Sequence, residues 1–407
     1  MKLGQGVHLT YCSNIHPGES WAEVHANLDR YVRAVRDRVL PDGDFGIGLR
    51  LSARAAAELA EPATLAEFKR FLARERMYVF TINGFPYGTF HGTRVKEAVY
   101  LPDWRSPERL RYSNQLADLL AQLLPTSAPG DAAMEGSVST VPGAFKPALD
   151  GPADVALMVE HLLLHVAHLV ALRARTGRHI ALALEPEPHC FLETIAEVIA
   201  FFARDLHGPD AVRRLSLLSG LDNTAAQRAL HDHLGVCLDL CHAAVEFEDA
   251  AGCIAQLRNA GIRVLKMQIS AGLRLPTLDR AALHALRRFD DPVYLHQVMQ
   301  QGPGGLRRFA DLPQALASLP ADPAGTEWRV HFHVPIFMDR LEPFSSTQSF
   351  IREVLALHRA QPVSAHLEVE TYTWDVLPEP FRSGPVDEAV ARELLWVGAE
   401  LTAESGP

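Results

Sequence analysis

The sequence predicts an α/β protein with a (β/α)8 barrel. Eight short runs rich in β-branched and apolar residues alternate with longer runs of helical periodicity almost to the end of the chain, the pattern of βαβ units and a parallel sheet. The 407 residues are enough for a barrel of about 250 residues with additions. Because no low-complexity linker divides the chain, we expect a single domain over residues 1–407.

Eight barrel strands are expected, at Val7–Asn14, Gly46–Ser52, Tyr78–Gly84, Gly136–Val141, Ile180–Glu187, Gly235–His242, Val264–Ser270 and Leu367–Thr373. A further extended run, Arg329–Ile336, is either a ninth strand or part of an insertion. Residues 271–328, between the seventh and eighth strands, show only weak helical patterning. An insertion after a barrel strand lies over the C-terminal face, so we expect this segment to form a lid or a partner surface.

Three helix starts are recognisable, namely the capping boxes Ser20/Glu23 and Thr64/Glu67 and the cap Ser106 followed by Pro107 and Glu108. In a capping box the hydroxyl accepts a hydrogen bond from one free backbone amide and the carboxylate accepts from another. From Val155 to Leu172, Leu and Val recur at helical spacing with three interleaved histidines. We interpret these histidines as packed or surface residues of one helix.

Charge and composition exclude some classes of function. The chain carries 39 basic and 49 acidic residues, a formal charge of −10, and no basic cluster. Because sequence-independent binding of DNA or RNA depends on clustered positive charge, we expect no nucleic-acid partner.

The cysteines and the N-terminus predict a cytoplasmic protein. The five cysteines include no C-x-x-C pair, so we expect buried thiols in a reducing compartment. Met1–Gly6 lacks a basic stretch followed by an apolar core. No run approaches 18 apolar residues without charges, so we expect no direct membrane insertion.

Four strand ends carry acids or histidines, in the pairs Glu185/Glu187, Asp239/His242, His331/His333 and Glu368/Glu370. Residues two apart in a strand point to the same side, and the C-terminal strand ends of a barrel meet at one face. Carboxylates gathered there repel one another and are costly to desolvate, whereas a divalent cation removes both problems. Each acid alone could be an exposed or ion-paired structural residue, but Glu185, Asp239 and Glu370 together favour a metal site for Mn, Mg, Zn, Fe or Co.

Three of these strand ends resemble the metal-site strands of the xylose-isomerase-like superfamily, which holds sugar isomerases, ketose 3-epimerases and endonuclease-IV-type enzymes. They are Leu184–Pro186, Cys237–His242 and Leu367–Thr371. The resemblance implies that Glu185, Asp239 and Glu370 are metal ligands, and that Glu185 and Glu370 double as acid/base groups. His242 matches the histidine that follows the sixth-strand aspartate in the endonuclease-type branch.

The seventh strand departs from this pattern, since Gln268 stands where the superfamily usually has a ligand histidine. A glutamine carbonyl can bind a hard cation but is weaker than imidazole for Zn. Either the site holds Mg or Mn loosely with Gln268 as a ligand, or His333 fills the gap from the insertion.

A longer resemblance covers most of the chain. The segments His8–Glu19, Thr81–Gly88, Val95–Trp104 and Glu135–Gly143 are similar, in order, to those of the metabolite traffic protein EboE family. This implies a bacterial protein encoded beside a UbiA-like membrane prenyltransferase-type protein, in a set associated with moving a metabolite towards the periplasm. We therefore expect a small-molecule metabolite as ligand and a membrane protein of the same gene cluster as partner.

Further polar residues follow the first and third strands and should reach the same mouth. They are Asn14, His16, Asn83, His91 and Lys96. The loop after the third strand could close over a ligand, with Phe85 and Tyr87 as aromatic walls and Lys96 meeting an anionic group; the alternative is a tight turn with packed aromatics. Together with His242 and His331, these polar residues are the predicted substrate contacts.

Three functions fit these observations. The first is a metal-dependent isomerase or epimerase for a small polyhydroxy or carbonyl metabolite, in which the cation acts as a Lewis acid on an enediolate. The second is a non-catalytic carrier that binds the metabolite and hands it to the membrane partner. The third is an endonuclease-IV-type phosphoesterase, which would need more imidazole ligands and a basic groove.

Overall fold

Eight parallel strands form the central sheet of the computed structural model, which describes residues 1–92, 94–126, 134–320, 322–382 and 384–403. In chain order they are β1 (His8–Tyr11), β2 (Phe45–Arg50), β3 (Met77–Asn83), β4 (Gly136–Thr140), β5 (Ile180–Leu184), β6 (Leu234–Asp239), β7 (Arg263–Ile269) and, after six strands of a second sheet, β14 (His366–Val369). Neighbours follow the order β1-β14-β7-β6-β5-β4-β3-β2, and a parallel bridge from Cys12 to Gly48 links β1 to β2. The predicted barrel is confirmed, and each expected strand overlaps an observed one.

Helices follow the barrel strands, as the alternating pattern predicts. Their bounds are α1 (Trp21–Asn27), α2 (Arg33–Val39), α3 (Ala53–Leu59), α4 (Pro62–Arg74), α5 (Pro107–Leu123), α6 (Pro152–Thr176), α7 (Ile195–Phe201), α8 (Pro209–Ser219), α9 (Asn223–His233), α10 (Leu240–Val245), α11 (Ala250–Asn259), α12 (Arg280–Leu286), α13 (Leu312–Ala317), α14 (Gln348–Ala360) and α15 (Val386–Thr402).

Two of the three predicted helix starts are confirmed. Ser20 and Glu23 form a complete capping box at α1, and Ser106 caps α5. The Thr64/Glu67 box is wrong, because α4 already begins at Pro62. Proline suits the first helical turn, where its missing amide costs nothing.

The long helix α6 packs on the outside of the barrel against α5, α8 and α9. Its three histidines bond to the Trp104 carbonyl oxygen, to Asn114 Oδ1 and to Asp118 Oδ1, so their structural interpretation holds. Among the described residues α6 is the one helix that is long and apolar enough to cross a membrane, by length and composition alone.

The insertion between β7 and β14 folds as a second, antiparallel sheet. Its strands are β8 (Ala271–Leu275), β9 (Val298–Gly302), β10 (Gly305–Phe309), β11 (Glu327–Val334), β12 (Arg340–Leu341) and β13 (Phe344–Ser346), in the order β10-β9-β11-β8-β13-β12. The sheet therefore extends past residue 328, and the extended run Arg329–Ile336 lies mostly within β11. The weak helical pattern of the segment corresponds only to the short helices α12 and α13.

Ion pairs fix this sheet to the rim of the barrel. Arg308 of β10 lies 2.9 Å from Glu246 Oε2 and 3.2 Å from Glu193 Oε1. Lys96 Nζ lies 2.7 Å from Asp311 Oδ2. These contacts hold the insertion against the C-terminal end of the barrel, as expected for a segment that follows a barrel strand.

A fully buried ion pair crosses the inside of the barrel, where Lys266 Nζ lies 2.5 Å from Glu368 Oε1. Burial lowers the pKa of Lys266, but the Glu368 carboxylate together with the Cys237 and Cys12 thiols outweighs it, and the net pKa lies above the ordinary value. Gly48 makes room for the pair, because a Cβ at this position would lie 2.0 Å from Glu368 Oε2.

The C-terminal helix carries a buried carboxyl group, Glu393. Its Oε1 accepts hydrogen bonds from Thr371 Oγ1 at 2.8 Å and from the Ile336 amide at 3.1 Å. Burial raises the pKa of Glu393 to about 7, against the opposing effect of the two hydrogen bonds. The folded chain therefore binds a proton here that the unfolded chain releases near pH 4.5.

We expect Glu393→Gln to flatten the pH dependence of stability. The raised pKa gives the wild type a stabilisation that is complete below pH 4.5 and is lost as the pH rises through 7, amounting to roughly 3 kcal/mol at most. Urea unfolding between pH 4.5 and 8 should show this loss in the wild type and in the exposed control Glu67→Gln, but not in Glu393→Gln. Parallel pH profiles for all three proteins would contradict the expectation.

Candidate metal centre

Three carboxylates meet at the C-terminal end of the barrel. Glu185 directly follows β5, Asp239 is the last residue of β6, and Glu370 directly follows β14. One oxygen of each lies within 4.8 Å of one oxygen of the others, and all three residues are buried. Parallel strands end at a common rim, and this brings together residues that are far apart in the sequence.

Neighbouring donors orient two of these carboxylates. Glu370 Oε1 accepts from Asn14 Nδ2 at 2.8 Å and from Asn83 Nδ2 at 3.0 Å. Asp239 Oδ1 accepts from Ser270 Oγ at 2.7 Å and from the His242 amide at 3.0 Å. Within the described chain, Asp239 Oδ2 and Glu185 Oε2 are buried and have no hydrogen-bond partner, which is costly unless a cation binds them.

His333 presents a third unpartnered atom to the same site. Its Nδ1 lies 2.7 Å from the Glu370 carbonyl oxygen, which can only accept, so Nδ1 carries the hydrogen. Its Nε2 is buried without a partner among the described residues and lies within 4.8 Å of the ligand atoms of Asp239 and His242. Burial lowers the pKa of His333 to about 4. A neutral ring held through Nδ1, with a free lone pair on Nε2, is the usual form of a metal-binding histidine.

The charges of the site also favour a cation. Burial, and then the neighbouring carboxylates, raise the pKa of Glu185 and Glu370 well above the ordinary value. Burial acts in the same direction on Asp239, but His242, His333 and the hydrogen bonds from Ser270 and the His242 amide together outweigh it, and the pKa of Asp239 is lowered. A divalent cation among the three carboxylates would stabilise their charged forms.

Gln268 lies at the end of β7, fully buried and paired in register with Asp239. Its Oε1 accepts a hydrogen bond from the Cys237 thiol at 3.1 Å, and its Nε2 has no partner among the described residues. A half-turn of the amide would exchange the two atoms, so whether Gln268 offers an oxygen to a cation depends on this rotation. His333 offers its lone pair without any rearrangement.

A second cluster adjoins the first, formed by Glu187, His242 and His331. His242 Nδ1 lies 2.9 Å from the Pro186 carbonyl oxygen, and His331 Nδ1 lies 2.7 Å from Gln297 Oε1. Both partners accept, so both Nδ1 atoms carry hydrogen and the two Nε2 atoms face each other. Because the two Nε2 atoms are only 3.1 Å apart, a proton or a metal ion is needed between them.

Glu185 and Glu370 of the first cluster and all three residues of the second line a pocket with an empty volume of about 510 Å³, its open mouth included, while Asp239 and His333 are not among its described lining residues. Five of the predicted substrate contacts line it, namely Asn14, Asn83, Lys96, His242 and His331. The structure thus gathers the predicted ligands and most of the predicted substrate contacts in one place.

Two predicted contacts lie behind the pocket wall, since neither His16 nor His91 is among its described lining residues. His16 Nε2 lies 3.0 Å from Tyr11 Oη, and its ring stacks on Tyr31 at 4.4 Å. His91 joins the Asn14 carbonyl oxygen, at 2.5 Å, to Tyr294 Oη, at 2.8 Å. His91 thus holds two residues that face the pocket, whereas Tyr11 and Tyr31, the partners of His16, are not among the described lining residues.

Lys96 reaches the pocket but already has an anionic partner. Its Nζ binds Asp311 Oδ2 at 2.7 Å and the Asp291 carbonyl oxygen at 3.3 Å. From the sequence we expect Lys96 to meet a negative group of the ligand. In the structure Asp311 of the insertion is that negative group.

Sequence reasoning missed several lining residues. Tyr100, Tyr294 and Tyr372 all reach the pocket, yet a lone tyrosine in a loop gives no distinctive pattern. Glu187 is among the strand-end acids that the sequence indicates, since it shares the strand parity of Glu185, but the sequence assigns it no role in the site.

No family model and no curated protein matches the chain. The resemblance to the EboE family therefore stays a prediction.

Solved structures do match over nearly the whole length. A xylose isomerase-like TIM barrel protein from Mycobacterium smegmatis, solved with magnesium, has a TM-score of 0.51 at 14% identity, with 99% of each chain covered. D-psicose 3-epimerase from Clostridium cellulolyticum H10, with D-tagatose, has a TM-score of 0.46 at 12% identity, covering 97% of this chain and 98% of that one. The probable 3-DHS dehydratase AsbF from Bacillus anthracis has a TM-score of 0.45 at 12% identity, covering 96% and 98%. The chain has the xylose-isomerase-like TIM-barrel fold, with an insertion between its seventh and eighth barrel strands.

Proposed function

We propose that the protein is a divalent-metal-dependent isomerase or epimerase that acts on a small metabolite with adjacent hydroxyl and carbonyl oxygens. One observation carries the proposal: Glu185 Oε2, Asp239 Oδ2 and His333 Nε2 are buried without partners in the described chain, beside a third carboxylate. Oxygen and imidazole donors in this combination suit Mn, Mg, Zn or Fe.

The residues present fit such a cation. Glu185, Asp239, Glu370 and His333 would hold it, and Gln268 would add an oxygen if its amide turns. When bound, the cation supplies Lewis-acid stabilisation of an enediolate. Glu185 and Glu370 follow strands that are three apart in the barrel order and so reach the site from different directions, which suits one carboxylate for taking a proton from carbon and the other for returning it.

The acidic pocket counts against the phosphoesterase alternative. Lys96 is the only Lys or Arg among the described lining residues, and it is paired with Asp311. A phosphodiester would enter a site that holds three glutamates without a free basic side chain. A role in metabolite traffic, a membrane-protein partner and a cytoplasmic location remain predictions from the sequence.

Metal content tests the site directly. We expect about one or two divalent ions per chain in protein purified without chelators, and loss of at least one in Glu370→Gln because a charged ligand is removed. Elemental analysis of the wild type, Glu370→Gln and the exposed control Glu67→Gln gives the number of divalent ions per chain in each protein. Equal metal content in the wild type and Glu370→Gln would rule out Glu370 as a ligand.

Exchange of carbon-bound hydrogen with the solvent distinguishes an enzyme from a non-catalytic carrier. Metal-loaded protein in deuterated water, incubated with a panel of ketoses and hydroxyaldehydes, should place deuterium on the carbon next to the carbonyl of at least one compound, as read by NMR. Glu370→Gln should not. A protein that binds metal and ligand but exchanges no carbon-bound hydrogen would be a carrier.

A further inference from the structure

The upper part of the pocket is built from aromatic rings. Phe90 lies 5.2 Å from Tyr294 and 5.3 Å from Tyr372, ring centre to ring centre, and the two tyrosines are 5.2 Å apart. The three rings come from the loop after β3, from the insertion and from the segment after β14. Tertiary contacts between separate segments therefore create one continuous aromatic wall.

The wall offers mainly apolar surface to a ligand. Tyr294 Oη lies 2.8 Å from His91 Nδ1, which accepts because Nε2 of the same ring donates to the Asn14 carbonyl oxygen. Tyr372 Oη lies 3.5 Å from His331 Nε2. The two hydroxyls thus face histidines of the protein, which leaves mainly the rings for contact with the ligand.

The polar floor below is rich in acceptors and poor in donors. The amide groups of Asn14 and Asn83 both donate to Glu370, and Asn83 Oδ1 accepts from the Phe85 amide. The atoms left without partners in the described chain are acceptors, Asn14 Oδ1 and Glu185 Oε2. Such a floor binds hydroxyl hydrogens or a cation that carries the ligand's oxygens.

An anionic ligand is disfavoured in the same pocket. The floor holds the carboxylates of Glu185, Glu187 and Glu370, and Lys96 is neutralised by Asp311 at 2.7 Å. Phosphate recognition normally relies on free Lys, Arg or helix N-termini.

We propose that the ligand is a neutral molecule with two parts, a head with adjacent hydroxyl or carbonyl oxygens and a flat apolar body. The head meets the acidic floor and its cation, and the body lies against Phe90, Tyr294 and Tyr372. The inference rests on the proposed metal-dependent function and narrows its substrate class, because free polyols and sugar phosphates fit this pocket less well.

Three small probes test the proposal on the wild-type protein loaded with Mn²⁺. 1-Phenyl-1,2-ethanediol carries both parts, 1,2-propanediol has a methyl group in place of the phenyl, and glycerol 3-phosphate is an anionic diol. In titration calorimetry we expect the phenyl diol to bind about 30-fold more tightly than 1,2-propanediol, from burial of the ring. Glycerol 3-phosphate should bind no more tightly than 1,2-propanediol. Equal affinities for the two neutral diols, or a preference for the phosphate, would overturn the proposal.

Two variants test whether the aromatic wall causes the preference for the phenyl diol over 1,2-propanediol. Phe90→Ser should reduce the advantage of the phenyl diol to about 5-fold or less without changing the metal content. Phe191→Ser removes a ring that packs near Phe201, outside the described lining, and should keep the full advantage. Loss of the advantage in both variants, or in neither, would contradict the assignment, and the wild-type probe series remains decisive if Phe90→Ser does not fold.

Metal content measured on the same samples distinguishes two failures. A protein that binds no Mn²⁺ contradicts the proposed function and this inference with it. A protein that binds Mn²⁺ but prefers 1,2-propanediol or the phosphate contradicts the two-part ligand alone.

Discussion

Replacing Lys266 by methionine is expected to lower the free energy of unfolding by about 3–5 kcal/mol. The substitution keeps the length of the side chain but leaves the fully buried Glu368 without its cation, which lies 2.5 Å away in the wild type. Glu368 must then stay charged without solvent in the barrel interior or take up a proton, and both are unfavourable at pH 7. Urea unfolding at pH 7 measures the loss.

The double variant Lys266→Met/Glu368→Gln provides the matched control. It removes both charges together, so we expect it to recover most of the stability lost in Lys266→Met, as happens when a buried pair is replaced as a unit. If Lys266→Met alone were as stable as the wild type, the pair would not be the internal tie that the structure shows. If the double variant were as unstable as the single one, packing rather than charge would account for the loss.

Removing the divalent cation is expected to lower the free energy of unfolding by about 4 kcal/mol, for protein first saturated at 1,000 times its dissociation constant. The proposed cation would bind the folded barrel, where the candidate ligands are assembled, and would have no such site in the unfolded chain. Thermal unfolding with and without a chelator, at fixed pH, measures the change.

The variant Glu185→Gln should lose most of the stabilisation that the cation gives the wild type. Burial and the neighbouring Glu370 and Asp239 raise the pKa of Glu185, because the charged carboxylate is unfavourable there without a cation. Removing this carboxylate should therefore stabilise the metal-free protein. We expect Glu185→Gln to be at least as stable as the wild type in chelator but to gain little from added metal. Glu67→Gln should behave as the wild type in both conditions. A metal-free Glu185→Gln protein that is clearly less stable than the wild type would show that the carboxylate serves structure.

The barrel could be predicted because its elements have local causes. The strand before Glu185, Ile180–Leu184, is a continuous apolar run, and such runs suit parallel strands buried on both faces. The capping box of Ser20 and Glu23 lies within four residues and needs no tertiary contact. The candidate metal site could be predicted for a related reason, because parallel strands carry their last residues to one rim.

The insertion could not be assigned in the same way. The strands β9 and β10 contain polar and charged residues on a partly exposed hairpin, and β11, the other partner of β9, lies more than 20 residues after β9. Antiparallel pairing over such separations depends on tertiary contacts that leave no short-range period in the sequence. For the same reason the ion pair of Lys96 with Asp311 could not be anticipated, and the lysine looked available for a ligand.

By itself the sequence determined the eight-stranded barrel and the residues that end its strands, since apolar runs, caps and strand parity act over a few residues. The tertiary structure alone decided what each polar group at the mouth can do. Hydrogen bonds from distant segments occupy Nδ1 of His333 and leave its Nε2 free, bring the Nε2 atoms of His242 and His331 to 3.1 Å, and neutralise Lys96. These outcomes depend on which acceptors lie within about 3 Å after folding, a property that no local pattern of residues encodes.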